Sequence, residues 1–150
     1  MRLLAIAAVA MLAGCGGDPN PAEQAKKDLT TEIWYAPTTE RLAAVARQAE
    51  ELLKNGKREE AAAAISSGQP LLKRLLSASR PTLAAMEAVS DLDQLYAEML
   101  LRNKYYGEAR MLFQKNAIRW KTWRPQTADT ERRLKIAQAG IAECDRRLTE

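Results

Sequence analysis

The chain has 150 residues and a formal charge of +4; its 47% hydrophobic and 28% charged residues are a globular composition, and a negative mean hydropathy excludes a multi-span membrane protein. It contains no histidine, which removes Ser-His-Asp and Cys-His nucleophilic sites and the usual zinc ligand sets in one step. Neither catalysis nor a metal or other cofactor is expected. Six of its eight aromatic residues (Tyr96, Tyr105, Tyr106, Phe113, Trp120, Trp123) fall in one stretch, so the rest of the core must come from Leu, Ala, Ile and Met, a helix-favouring vocabulary.

Met1 and Arg2 give a short positive region, Leu3 to Leu12 an unbroken apolar run, and Ala13-Gly14 a small-residue exit, the three parts of a secretory signal. The run is too short to span a bilayer as a mature helix. Leu12-Ala13-Gly14-Cys15 resembles the lipobox of bacterial lipoproteins. That resemblance implies transfer of diacylglycerol to the Cys15 sulfur, cleavage between Gly14 and Cys15, and acylation of the new amine. Two or three acyl chains anchor stably where one binds only marginally. In such lipoproteins an aspartate directly after the cysteine retains the protein at the inner membrane; Gly16 stands there, which favours an outer membrane, facing the periplasm, if the cell has one.

Three regions are expected: residues 1–14 as signal peptide, 15–21 as lipidated cysteine and flexible tether through the breakers Gly16-Gly17-Asp18-Pro19-Asn20-Pro21, and 22–150 as one all-helical domain. Within it the apolar spacing is helical throughout and no segment reads as a strand. Helices are expected near 23–35, 39–54, 57–67, 70–78, 82–102, 106–121 and 126–148. Leu42, Val45, Ala49, Leu52 and Leu53 form one apolar face, and Leu83, Met86, Val89, Leu92, Tyr96 and Met99 another, behind a first-turn Pro81. Leu134, Ala137, Ile141, Cys144 and Leu148 form a third, which turns Cys144 toward the core. With Cys15 committed to lipid, Cys144 has no internal partner for a disulfide.

Two adjacent pairs of segments resemble tetratricopeptide hairpins. In the first, Leu52-Leu53-Lys54-Asn55-Gly56-Lys57-Arg58-Glu59-Glu60-Ala61 turns at Gly56 and sets a small Ala61 against the preceding helix, with Ile65 after it. In the second, Asn103-Lys104-Tyr105-Tyr106-Gly107-Glu108-Ala109 is followed by Phe113, the aromatic that fills the groove left by Ala109. Ala61 and Ala109 are 48 residues apart rather than the 34 of that repeat, and its early tryptophan is missing, so the fold class is all-α, antiparallel hairpins of tetratricopeptide-like kind or an irregular bundle.

Asp91 with Asp93 and Glu50 with Glu51 are close carboxylates, but residues one or two apart on a helix do not share a face, so they read as surface groups. From Arg102 to Glu150 there are twelve Lys or Arg and six Asp or Glu, so any anionic contact belongs in the C-terminal third. There the run Arg110, Lys115, Arg119, Lys121 and Arg124, interleaved with Phe113, Trp120 and Trp123, holds no acid. Such a mixture suits phosphates, anionic lipid or an acidic partner, although its cations scatter around the helix. The expected function is a lipid-anchored helical scaffold or assembly factor for another envelope protein, as the lipoprotein and tetratricopeptide resemblances imply. The alternative is docking of region 110–124 on anionic envelope lipid or polymer. Export disfavours nucleic acid.

Overall fold

The computed structural model describes residues 28–150; the expected leader, lipidated cysteine and tether, and the start of the helix expected over 23–35, lie outside the described residues. Asp28 caps a single 3₁₀ turn at Leu29–Thr31, accepting from the Thr30 amide at 2.9 Å. Five helices follow: α1 (Tyr35–Lys54), α2 (Arg58–Leu75), α3 (Leu83–Arg102), α4 (Tyr106–Thr122) and α5 (Ala128–Leu148). The described chain is all-helical and built of antiparallel hairpins.

Residues 28–34, the described part of the helix expected over 23–35 that precedes α1, are not α-helical and hold only the 3₁₀ turn. Two other boundaries differ from expectation for reasons of proline chemistry. The first helix starts at Tyr35 rather than at 39, because Pro37 occupies its first turn, where the missing N–H has no helical acceptor to serve. Thr38 and Thr39 then bond back to the carbonyls of Trp34 and Tyr35 at 2.6 and 3.1 Å. The segments expected at 57–67 and 70–78 are one helix, α2, running through Gly68 and Pro70. Pro70 and Ser66, the residue whose carbonyl would have accepted from position 70, are both exposed, so water can serve the freed oxygen. Pro81 lies just outside α3; Thr82 is the cap, accepting from the Ala85 amide at 3.3 Å.

The two hairpins are copies in register. α3 repeats α1 at an offset of 48 residues at both ends (35 to 83, 54 to 102), and α4 begins 48 residues after α2. Both turns use the same hydrogen bonds: Lys57 to Leu52 and Tyr105 to Leu100, each 2.9 Å, and Gly56 to Leu53 and Lys104 to Leu101, each 3.1 Å. This closure needs a left-handed residue at the second of its linking positions. Gly56 supplies it at φ +75°, whereas Lys104 adopts φ +67° against its Cβ.

α3 packs on both α1 and α2, while α5 packs on α4 and barely touches α3. A first core gathers Tyr35, Leu42, Ile65, Leu75, Val89 and Leu92; a second gathers Ala97, Ala109, Phe113 and Cys144. The expected packing residues Ala61, Ala109 and Phe113 are all buried, as is Cys144. Two glycines set how closely helices approach. A Cβ on Gly68 would stand 2.7 Å from Leu92 of α3, and one on Gly140 would stand 2.5 Å from the Phe113 ring.

Gly107, in the first turn of α4, has open space around it. Gly107→Ala should therefore raise stability by up to about 1 kcal/mol through helix propensity. Gly140→Ala gains the same propensity but must displace a fully buried ring, and should lose about 1–3 kcal/mol net. Urea titrations of the two variants check this; equal effects at both positions would contradict the packing described.

Candidate partner-binding groove

A polar lock fixes the second hairpin. Trp120 is wholly buried and donates its indole N–H to the Ser90 hydroxyl at 2.8 Å, and the Asn116 amide donates to the Ser90 carbonyl at 3.1 Å. Arg119 donates to Asp93 at 3.1 Å and to the Asn116 side-chain oxygen. No buried side-chain nitrogen or oxygen among the described residues lacks a partner. α5 joins the lock from outside: its Arg133 reaches Asp91 of α3, bonds Asp129 at 2.6 Å and lies 5.3 Å from the Trp120 ring centre.

Burial and charge act oppositely on these carboxyls. Desolvation pushes Asp93 above the ordinary aspartate value despite the Arg119 guanidinium beside it. Hydrogen bonds from Arg133 and Arg132 hold Asp129 below that value.

With α3 held in this way, α1, α3 and the first turns of α5 enclose an open groove of about 540 Å³. Its walls include Ala43, Ala46, Leu53 and Leu95, and its polar lining carries Arg47, Lys54, Arg102, Arg132 and Arg133 against Glu50, Asp91 and Glu98. A second hollow of about 290 Å³ adjoins it across Leu53 and Arg102, and the two make up a trough at the C-terminal, upper ends of α1 and α3. Most of these charges are satisfied internally: Lys54 pairs with Glu50 and Glu51, Arg132 with Asp129, Arg133 with Asp91, and Gln94 donates to Glu98. Arg47 and Arg102 have no carboxylate partner among the described residues.

The basic-aromatic run is not gathered into one patch. Arg110 pairs with Asp145 of α5, and Arg119 is turned into the lock. Lys115 and Lys121 are exposed, and Arg124 donates to the carbonyls of Lys121 and Trp123 at 3.0 and 2.7 Å. Phe113 and Trp120 serve the core. Asp91 and Asp93 face different arginines, and Glu50 and Glu51 share Lys54. Cys144 is buried, which raises its thiol pKa. Cys15 and Gly14 lie outside the described residues.

Sequence reasoning missed the Asp93–Arg119 pair, the Ser90 and Asn116 contacts, Gly140 and the groove. Asp93 carried a signal: it stands four residues after Val89, on the apolar side of α3. The groove carried none, since its lining comes from three helices far apart in the chain. No family model matches this chain, and neither curated proteins nor solved structures give a significant match.

Asp93→Ala leaves the Arg119 guanidinium buried without its carboxylate and should cost about 3 kcal/mol; Asp93→Asn keeps an acceptor and should cost less. The pH dependence has a definite sign. A carboxyl whose folded pKa is raised binds more protons in the folded state, so stability falls as pH rises from just above the ordinary aspartate value through the raised one. Asp129 acts oppositely, its contribution present above the ordinary value and lost as pH falls through the depressed one. Urea midpoints across the acid range should show the decline on raising pH in the native chain and its absence in Asp93→Asn; identical profiles would contradict the assignment.

Proposed function

We propose that this chain is a lipid-anchored envelope protein whose helical domain is a scaffold, holding an extended, carboxylate-bearing segment of a second envelope protein in the trough between α1, α3 and α5. The single observation that carries the reading is the unpaired state of Arg47 and Arg102 in a trough whose other charges are largely matched within the chain. A cation whose neighbours already neutralise one another is available to a ligand without first breaking an ion pair. The alanine and leucine walls offer apolar contact, and two adjoining open hollows suit an extended peptide better than a compact small molecule.

The envelope location rests on Leu12-Ala13-Gly14-Cys15 and its lipobox resemblance, and the scaffold role on the tetratricopeptide-like hairpins. Docking on anionic envelope lipid or polymer through region 110–124 by itself is less well supported. Of its five cations, Arg110 is ion-paired with Asp145 and Arg119 with Asp93 in the lock. Among the described residues no cluster of three Cys, Asp or Glu side chains is placed to hold a metal ion.

A photoreactive amino acid at Gln94, inside the trough, should cross-link in native envelopes to one acidic segment of a second protein. The same group at Gln138, on the exposed side of α5, should not. Arg47→Glu with Arg102→Glu should weaken binding of the cross-linked segment at least about tenfold while leaving helicity unchanged. Cross-linking from Gln138 alone, or affinity indifferent to both arginines, would place the partner elsewhere.

A further inference from the structure

Because the helices alternate in direction, three segments lie at one end of the domain: residues 28–34 before α1, the α2–α3 connection at 76–82, and the α4–α5 connection at 123–127. The first two are tied together, since the Tyr35 hydroxyl accepts from the Thr82 amide at 3.2 Å and the Arg74 guanidinium lies 4.2 Å over the Trp34 ring. The third is held against α4 through Trp123, whose ring centre is 6.4 Å from that of Trp120.

This end leaves large aliphatic side chains open: Ile33 is 93% exposed, Leu76 43% and Leu83 38%. Around them Lys73, Arg80, Lys121 and Arg124 are exposed, and none is ion-paired among the described residues. The carboxylates nearby are occupied or few. Asp28 accepts from Thr30 and feels the charge of Arg80 without an ion-pair contact, Asp129 is held by Arg132 and Arg133, Glu32 is engaged, and Glu131 is exposed. The opposite end differs in its charge pairing. There Lys54, Lys57, Arg146 and Arg147 are each ion-paired to a carboxylate close in sequence, leaving Arg58, Arg102 and Lys104 unpaired, and the exposed large apolar side chains are Tyr105 and Leu148.

We propose that the end bearing Ile33, Leu76 and Leu83 rests on the membrane surface, its aliphatic side chains at the acyl boundary and Lys73, Arg80, Lys121 and Arg124 on anionic phospholipid headgroups. Exposed apolar groups ringed by unpaired cations are the chemistry of an interfacial contact. The course of the chain selects lipid over a protein occupant. Cys15 precedes Asp28 by 13 residues, a span of at most about 45 Å, and the chain joins the domain at this end. To bring the opposite end to the bilayer, that segment would first have to run beside helices roughly 30 Å long. Seated in this way, the domain points the upper ends of α1 and α3, and the trough beside them, away from the bilayer.

This inference rests on the anchored-lipoprotein reading, and its test is made independent of lipidation by using the full chain with Cys15→Ser. Hydrogen exchange of that chain, free and with phosphatidylglycerol vesicles, should show protection at 28–34, 76–82 and 123–127 but none at 55–57 and 103–105. Phosphatidylcholine vesicles or 1 M salt should abolish the protection. Arg80→Gln with Arg124→Gln should weaken the protected state about fivefold per cation. Ile33→Ser should weaken it further at unchanged salt sensitivity. Every variant carries the same residues 1–27, so their own affinity for lipid is common to all. No protection, equal protection at both ends, or protection indifferent to lipid charge would each overturn the proposal, whatever the state of Cys15 in the cell.

Discussion

Helices approach closely only where one of them carries little or no side chain, and in this domain that constraint sets the position of everything else. Ala61 and Ala109 occupy the same place in two successive hairpins, and both are fully buried. Gly68 admits Leu92 against the backbone of α2, and Gly140 admits the Phe113 ring against that of α5. With no wide gap to fill, Trp34, Tyr35, Tyr96 and Phe113 with a modest set of aliphatics suffice for two small cores. The repeat of helix and turn at a 48-residue offset follows from using one packing solution twice.

The two copies then diverge at the position that decides their work. Where the first hairpin has Gly68, the second has Asn116, 48 residues on, which bonds Ser90 and Arg119 rather than admitting a leucine. A polar lock thus replaces an apolar contact, and Asp93, Arg119 and Trp120 enter the interior together. A buried ion pair contributes little net stability against an apolar substitute of equal volume, but its geometry is exacting, so it fixes the register of α3 on α4. Arg133 extends that fixed geometry to α5 through Asp91. The angle between α1, α3 and α5, and hence the trough, depends on this chain of contacts.

The later helices were legible because amphipathic spacing and terminal residues agreed. The expected 82–102, 106–121 and 126–148 correspond to Leu83–Arg102, Tyr106–Thr122 and Ala128–Leu148. The expected bounds at 39, and between 67 and 70, differ from the structure because Pro37 belongs to the first turn of α1, and Gly68 and Pro70 lie within α2. Proline ends a helix only when the lost hydrogen bond cannot be replaced, and exposure, which a sequence does not display, decides that. Burial of Cys144 and Phe113 could be read from spacing along one helix. The trough could not, because Arg47, Arg102 and Arg133 acquire a relation only when three helices are placed.

The proposed role joins an anchor, a groove and a helical domain to a partner segment. The anchor is the premise on which both the envelope location and the orientation of the domain depend, and it is decided by one covalent fact. Intact and N-terminal peptide masses of the protein from native envelopes test it most directly. The account predicts a mature chain that begins at Cys15, carries diacylglycerol on its sulfur and has an acylated amine. An unmodified Cys15, or a mature chain that begins at another residue, would contradict it.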